Sequence, residues 1–350
     1  MKWMQLLSRA VESPDGLAGF SPDDIATMRR VSMHYPMRIN PYWMDLINGM
    51  DVLGRQVIPD IRELHDNQGM TDPLAEDRDS PVPLVTHRYP DRVLFLVSGE
   101  CAIYCRFCTR KRKIGRFGVI SDAMIQDGIR YIECQARIRD VLLSGGDPLL
   151  LSDDRLDWIL GQIRRIAHVD VIRIGTRVPS SLPQRITHAL VRMISKHQPV
   201  FMHVHFNHPK EMTPAAEKAC RLLADGGIPL GSQTVLLRGI NDSPETMESL
   251  FRILVKSRIR PYYLLQADLT RGTNHFRTSL QTGMDIMKYL RGRVSGLAVP
   301  NYIVDLPGGG GKVPVLPAYY AGRDGKDHVF RNYRNKLYKY PDPVLNTPEH

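Results

Sequence analysis

RVLFLVSGECAIYCRFC, residues Arg92–Cys108, is the stretch on which the fold turns. Its first half, RVLFLVSG, is a short apolar run ending in small polar residues, the pattern of a buried strand. Straight after it come Cys101, Cys105 and Cys108, with three and then two residues between them. Three thiolates on one tight loop can hold three corners of a cubic iron–sulfur cluster. Ordinary four-iron clusters use four cysteines, so three leave one iron open to a small ligand. Other uses of the loop fit less well. A structural zinc site wants four ligands. Haem attachment wants His directly after Cys-x-x-Cys, and Thr109 stands there. A ferredoxin run needs a fourth cysteine close by, and the next is Cys134. Cys134 and Cys220 lie in helical patterns and read as core thiols.

Working outward from Arg92, strands and helices alternate. Further strand-like runs are Arg139–Gly146, Val169–Arg177, Pro199–Asn207, Ile228–Leu236 and Arg260–Ala267. Helical patterns lie between them. The clearest follows Ser152, with Leu156, Ile159, Leu160, Ile163 and Ile166 on one face. Others start at Thr213-Pro214 and Ser243-Pro244. This spacing implies parallel βα units, either as an open partial barrel or as a doubly wound sheet. Polar residues gathered at the strand ends favour the barrel, whose site is built at that face. They are SGGD (Ser144–Asp147), TRVP (Thr176–Pro179), HFNHP (His205–Pro209) and QAD (Gln266–Asp268).

Upstream, Ser21-Pro22-Asp23-Asp24 reads as a helix start, and 77–90, with three prolines, as an extended connection. Downstream, Leu297–Asp305 is strand-like and runs into LPGGGGKVP. The tail RNYRNKLYKYP is basic and aromatic and reads as a solvated, partly packed extension. The expected division is 1–90 helical and extended, 91–296 barrel, and 297–350 a lysine-bearing segment with its tail.

The chain has 350 residues, 43% hydrophobic and 24% charged, which excludes a disordered chain, a collagen and a membrane bundle. No secretory signal is read at the N-terminus, and a cytoplasmic location with no membrane partner is expected. The net charge of +10 suits anionic ligands or nucleic acid, or simply a solvated basic surface. Five cysteines are too few and too uneven for a disulfide framework.

CAIYCRFCTRKR resembles the cluster loop of radical S-adenosylmethionine (SAM) enzymes. With DSPVPLVTHRYPDRVLFLV before it and VLLSGGDPLL after it, the chain resembles the lysine 2,3-aminomutase family from about Thr71 to the tail. The resemblance implies a [4Fe-4S] cluster on Cys101, Cys105 and Cys108, with SAM on its open iron. It also implies a partial (β/α)6 barrel of the radical SAM type with N-terminal helical and C-terminal extensions. Ser144, Gly145, Gly146 and Asp147 are assigned by it to the SAM amino group.

The glycine run before Lys312 is not a phosphate loop: Leu306 stands where the first glycine belongs and Val313 where Ser or Thr is needed. In the family PGGGGK is similar to the pyridoxal phosphate (PLP) segment, which makes Lys312 the Schiff-base lysine. Arg88 and Arg92 match its phosphate-binding positions, and both could equally pair with nearby acids such as Asp91. Arg110 matches the residue that meets the substrate carboxylate, and Asp268 and Asp305 those that hold a side-chain ammonium. Without the family, Asp268 reads as a loop turn and Asp305 as a strand end.

Retention of both aspartates favours interconversion of L-lysine and L-β-lysine by an intramolecular amino shift. Arginine or glutamate as substrate, or β-lysine made for attachment to a translation elongation factor, are the neighbouring readings. An iron–sulfur electron-transfer protein and an RNA-modifying radical enzyme are the readings from other classes. A one-electron reductant such as flavodoxin or ferredoxin is the expected partner, and nucleic acid is not. The family's zinc-binding cysteines have no counterpart after Cys220, so no structural zinc is expected and a homo-oligomer is left open.

Overall fold

The computed structural model describes residues 2–116 and 118–341. Residues 342–350, the end of the expected C-terminal segment, lie outside the described residues. Among the described residues twelve strands form two sheets, one of nine strands and one of three. The large sheet runs β1 (Val85–Tyr89), β2 (Arg92–Ser98), β3 (Asp140–Gly145), β4 (Val171–Thr176), β5 (Val200–His205), β6 (Leu230–Leu236), β7 (Ile259–Gln266), β8 (Asn301–Leu306) and β9 (Gly311–Pro314). Spatial order equals chain order. The pairs from β2 to β8 are parallel; β1 and β9 are antiparallel on the two edges.

The helices are α1 (Lys2–Ser8), α2 (Pro22–His34), α3 (Pro41–Met44), α4 (Asp122–Cys134), α5 (Asp153–Arg164), α6 (Val178–Ser181), α7 (His188–Ser195), α8 (Pro214–Asp225), α9 (Pro244–Lys256) and α10 (Leu280–Leu290). Local chemistry starts most of them. Ser121, Ser152, Thr187, Thr213, Ser243 and Ser279 each accept a backbone N–H at the start of the following helix, which satisfies a donor the helix cannot. Ser21 and Asp24 cap α2 reciprocally.

When parallel strands follow chain order and their crossovers share one hand, the helices fall on one face of the sheet and the other face curls on itself. On the helix side Val141, Leu143, Ile172, Ile174, Met202 and Val204 are fully buried in one core with Leu156, Ile159, Leu160 and Ile163 of α5. Each such side chain contributes about 1.5–3 kcal/mol by leaving water. Alternate strand residues face the bore, and there the barrel is partly polar. Arg173 pairs with Asp140 at 2.7 Å, and Gln233 meets His203 at 3.3 Å. The result is a nearly closed α/β barrel. Its edge strands do not share a ladder. Single contacts bridge them instead: the backbone N–H of Lys312 on β9 donates to the Tyr89 hydroxyl of β1 at 2.9 Å, and Arg88 of β1 lies 3.6 Å from Asp305 of β8.

Four expectations change in detail. The strand-like segment at 297–305 joins the sheet as a further parallel strand, β8. The proline-rich connection contains β1, whose Val85 pairs with Phe95; proline is confined to its flanks, where it removes no ladder bond. Cys220 is buried, but Cys134 is exposed at the end of α4 and is not a core thiol. The basic, aromatic tail forms a separate antiparallel sheet, β10 (Tyr320–Asp324), β11 (Asp327–Arg331) and β12 (Leu337–Pro341).

The N-terminal region has its own small core of Met28, Met37, Ile39, Trp43, Leu53, Val57 and Ile58, into which Ile103 of the cysteine loop is packed. The Tyr104 N–H donates to the Arg38 carbonyl at 2.9 Å, and the Arg106 N–H to the Gln56 carbonyl at 2.8 Å. The helical region thus clamps the loop that leaves β2. Among the described residues no helix is long and apolar enough to cross a membrane.

Candidate active site

The loop after β2 is held by charges buried beneath it. Glu63 is almost wholly inaccessible and receives two bonds from Arg106, at 2.9 and 2.6 Å, and one from Lys111. Burial alone would raise the Glu63 carboxyl, but Arg106 and Lys111 outweigh it and hold it below its ordinary value. Lys111 also donates to the Arg106 carbonyl at 2.8 Å and to the Gly272 carbonyl at 2.9 Å. Between these anchors Cys101, Cys105 and Cys108 are free thiols with part of their surface open.

Desolvation, with the charge of neighbouring groups, pushes Cys101 well above the usual thiol value and Cys108 up to about 11. Three sheltered thiolates repel one another and call for cationic partners, which is what cluster irons supply. Among the described residues no three His, Cys, Asp or Glu side chains stand close enough to share a single ion. Cluster cysteines need not, because each binds its own iron. The donor set therefore fits a site-differentiated cluster.

SGGD packs against the end of β2. Gly145 has φ +133°, and a Cβ there would lie 2.1 Å from the Ser98 carbonyl oxygen; at Gly146 it would lie 2.2 Å from that of Glu100. Only glycine permits this approach. The Asp147 carboxylate accepts from the Thr176 hydroxyl at 2.7 Å, the Arg177 N–H at 2.7 Å and the Leu149 N–H at 3.1 Å. It ties the β3 loop to the β4 loop. Ser144 accepts from Arg110 at 3.3 Å. Arg110 itself is forked onto Glu76, with contacts of 2.7 to 3.0 Å.

Glu76 belongs to an acidic loop at 72–79 that joins the two halves of the site. Asp72 and Asp77 pair with Arg112 at 3.0 and 3.1 Å, Asp79 pairs with Arg88 at 3.1 Å, and the Gly308 N–H donates to the Pro73 carbonyl at 2.8 Å. At the far side, Lys312 of β9 lies opposite Asp305 of β8 and is ion-paired with it. Gly308, Gly309 and Gly311 take φ of 68°, 80° and 84°, left-handed values that side chains resist. Asp268 follows β7 and has no hydrogen-bond or ion-pair partner among the described residues. Burial, then the charge of Asp305, raises its carboxyl to about 7. Arg92 pairs with Asp91 at 2.8 Å and lies over the Tyr89 ring at 3.9 Å, the ring whose hydroxyl meets the Lys312 N–H.

Two kinds of residue were not visible in the sequence. Glu63 closes a short 3-10 turn with Asp60 and Glu76 sits in a loop, and no motif there points to the cysteines. Arg177 lies in a strand-end segment already marked as polar and Glu211 two residues beyond another, but their partners are remote. Arg177 donates to Cys105 Sγ at 2.7 Å and to Gln56 Oε1 at 2.6 Å.

A barrel of this build, with three thiols after its first parallel strand, defines a radical SAM enzyme, and the Radical SAM superfamily model matches residues 95–250. The Lysine-2,3-aminomutase model matches residues 287–350. The L-lysine 2,3-aminomutase of Methanococcus maripaludis is 48% identical over 98% of this chain and 81% of its own. That of Fusobacterium nucleatum is 46% identical, covering 99% and 84%. A glutamate 2,3-aminomutase of Clostridioides difficile is 45% identical, covering 90% and 76%. The chain belongs to the lysine 2,3-aminomutase family. It is an isomerase whose cofactors include a [4Fe-4S] cluster and SAM.

Proposed function

We propose that the chain interconverts L-lysine and L-β-lysine by a 1,2-shift of an amino group, with PLP held on Lys312. The observation that carries this reading is the pair of carboxylates beside that lysine. Among the described residues Asp268 lacks a partner, and it is raised by burial and by Asp305, which is the signature of a site short of one cation. A lysine side-chain ammonium supplies it. A glutamate side chain would add a third negative charge, so the aspartates speak against that substrate.

PLP, when bound, supplies an aldehyde able to carry the migrating nitrogen. Lys312 would hold it, and the left-handed glycines before the lysine give that segment room to shift. Arg88 and Arg92 are the cations proposed for its phosphate. Asp268 and Asp305 bind and orient the substrate ammonium. Arg110 turns its fork from Glu76 toward the substrate carboxylate. The Ser144–Asp147 turn receives the amino group of SAM. The acidic loop at 72–79 shields the interior from water. A one-electron donor of the flavodoxin or ferredoxin kind would feed the cluster.

The test is an anaerobic assay of the reconstituted chain with SAM, PLP, a reductant and separate amino acids, with products identified by mass and chirality. β-Lysine from lysine alone is expected. Turnover of arginine or glutamate in its place overturns the substrate. Borohydride should trap PLP on the wild-type chain, and equal trapping on Lys312→Ala overturns the lysine assignment.

A further inference from the structure

Arg177 lies in the polar segment at the end of β4, and nothing in the amino shift as described gives it work. Its guanidinium is nonetheless held from several sides next to a cysteine sulfur. One arm donates to Cys105 Sγ at 2.7 Å; the other reaches Gln56 Oε1 at 2.6 Å and Glu211 at 3.3 Å. The flat faces lie against Trp43 and Phe107, with centroid distances of 5.0 and 5.2 Å. Only 8% of the residue is exposed. Among the described residues, neither Cys101 nor Cys108 receives a side-chain hydrogen bond at sulfur.

Glu211 is fully buried and is fixed from several sides: Ser180 at 2.8 Å, Gln56 at 3.0 Å, and the N–H groups of Asn207 and His208 at 3.1 Å. The arrangement is a buried dipole whose positive end touches the Cys105 sulfur and whose negative end lies behind it. Little solvent remains to screen it.

We infer that Arg177 is a positioning residue that sets the reduction potential of the cluster through Cys105, with Glu211 as its counterweight. An iron–sulfur potential follows the net charge nearby and the hydrogen bonds to sulfur. A guanidinium on Cys105 stabilises the extra electron of the reduced cluster and moves the midpoint upward. Glu211 partly cancels that field, so the two side chains act with opposite sign. The inference rests on the cluster and is independent of which amino acid is turned over.

The test is an EPR-monitored redox titration of the reconstituted full chain, with iron and sulfide measured per chain. Arg177→Gln should move the midpoint to lower potential, Arg177→Lys should move it less far in the same direction, and Glu211→Gln should move it higher. Shifts of the same sign in Arg177→Gln and Glu211→Gln signify mere distortion and overturn the proposal. So does an unmoved midpoint in Arg177→Gln at full iron and sulfide content. Should Arg177→Gln hold no cluster, Arg177→Lys and Glu211→Gln decide: a midpoint unmoved in both, or lowered in the glutamate variant, overturns it. A wild-type chain without a reducible four-iron signal removes the proposal together with the cluster.

Discussion

Beneath the three-cysteine loop every charge has its opposite: Glu63 is shared by Arg106 and Lys111, and Glu211 is matched by Arg177. Beside Lys312 the matching is incomplete: Asp305 serves both Lys312 and Arg88, and Asp268 has no partner among the described residues. The first region is balanced in charge before any ligand arrives, as suits a centre that stays in place. The second is short of positive charge until something cationic binds. Breaking a balanced network should cost stability, because it strands a buried charge. Altering the incomplete one should cost affinity and leave stability intact or improved.

The largest expected effect comes from Cys105→Ala. Iron and sulfide content and turnover should fall to background, while circular dichroism keeps the folded signature, because Glu63 still ties down the loop. Next is Glu63→Gln, which leaves Arg106 and Lys111 undercompensated and should destabilise the apo chain by about 3–5 kcal/mol in denaturant unfolding. An unchanged midpoint there would erase the contrast between the regions.

Asp268→Asn should behave oppositely. Catalytic efficiency toward lysine should fall by the equivalent of about 2–5 kcal/mol, read from kcat/KM, with unfolding no easier than in the wild type. The smallest effect is in pH dependence. Asp268 sits at about 7 against an ordinary 3.8, so its ionisation is harder in the folded chain. Its contribution to stability is fully present below the ordinary value and is lost as pH rises toward 7. Lysine binding needs the ionised form, so KM should rise about tenfold per pH unit below 7. Asp268→Asn should flatten both profiles.

The parts legible in the sequence were those written locally. Strand and helix runs carry their own periodicity, their caps stand next to them, and CAIYCRFC and PGGGGK are contiguous. Glu63 was not legible because what makes it matter, Arg106 and Lys111, lies more than forty residues away. Arg110 was assigned to a ligand, and its resting partner Glu76 was missed for the same reason. The prolines around 77–90 hid β1, since a strand that pairs along one edge tolerates them at its ends. The aromatic tail looked solvated because its strands pair only with one another and remain largely exposed.

The join between β1 and β9 has a consequence for how this ring could accept guests of different girth. There the Tyr89 phenol takes the Lys312 N–H of β9, and the Arg88 guanidinium reaches behind it to Asp305 of β8, in place of a backbone ladder. Spreading the rim strands unfastens two clasps and tears no weave. Bore width is thereby set apart from the strength of the ladders, and Tyr89 is the clasp to alter, since Arg88 also carries the Asp79 pair of the acidic loop.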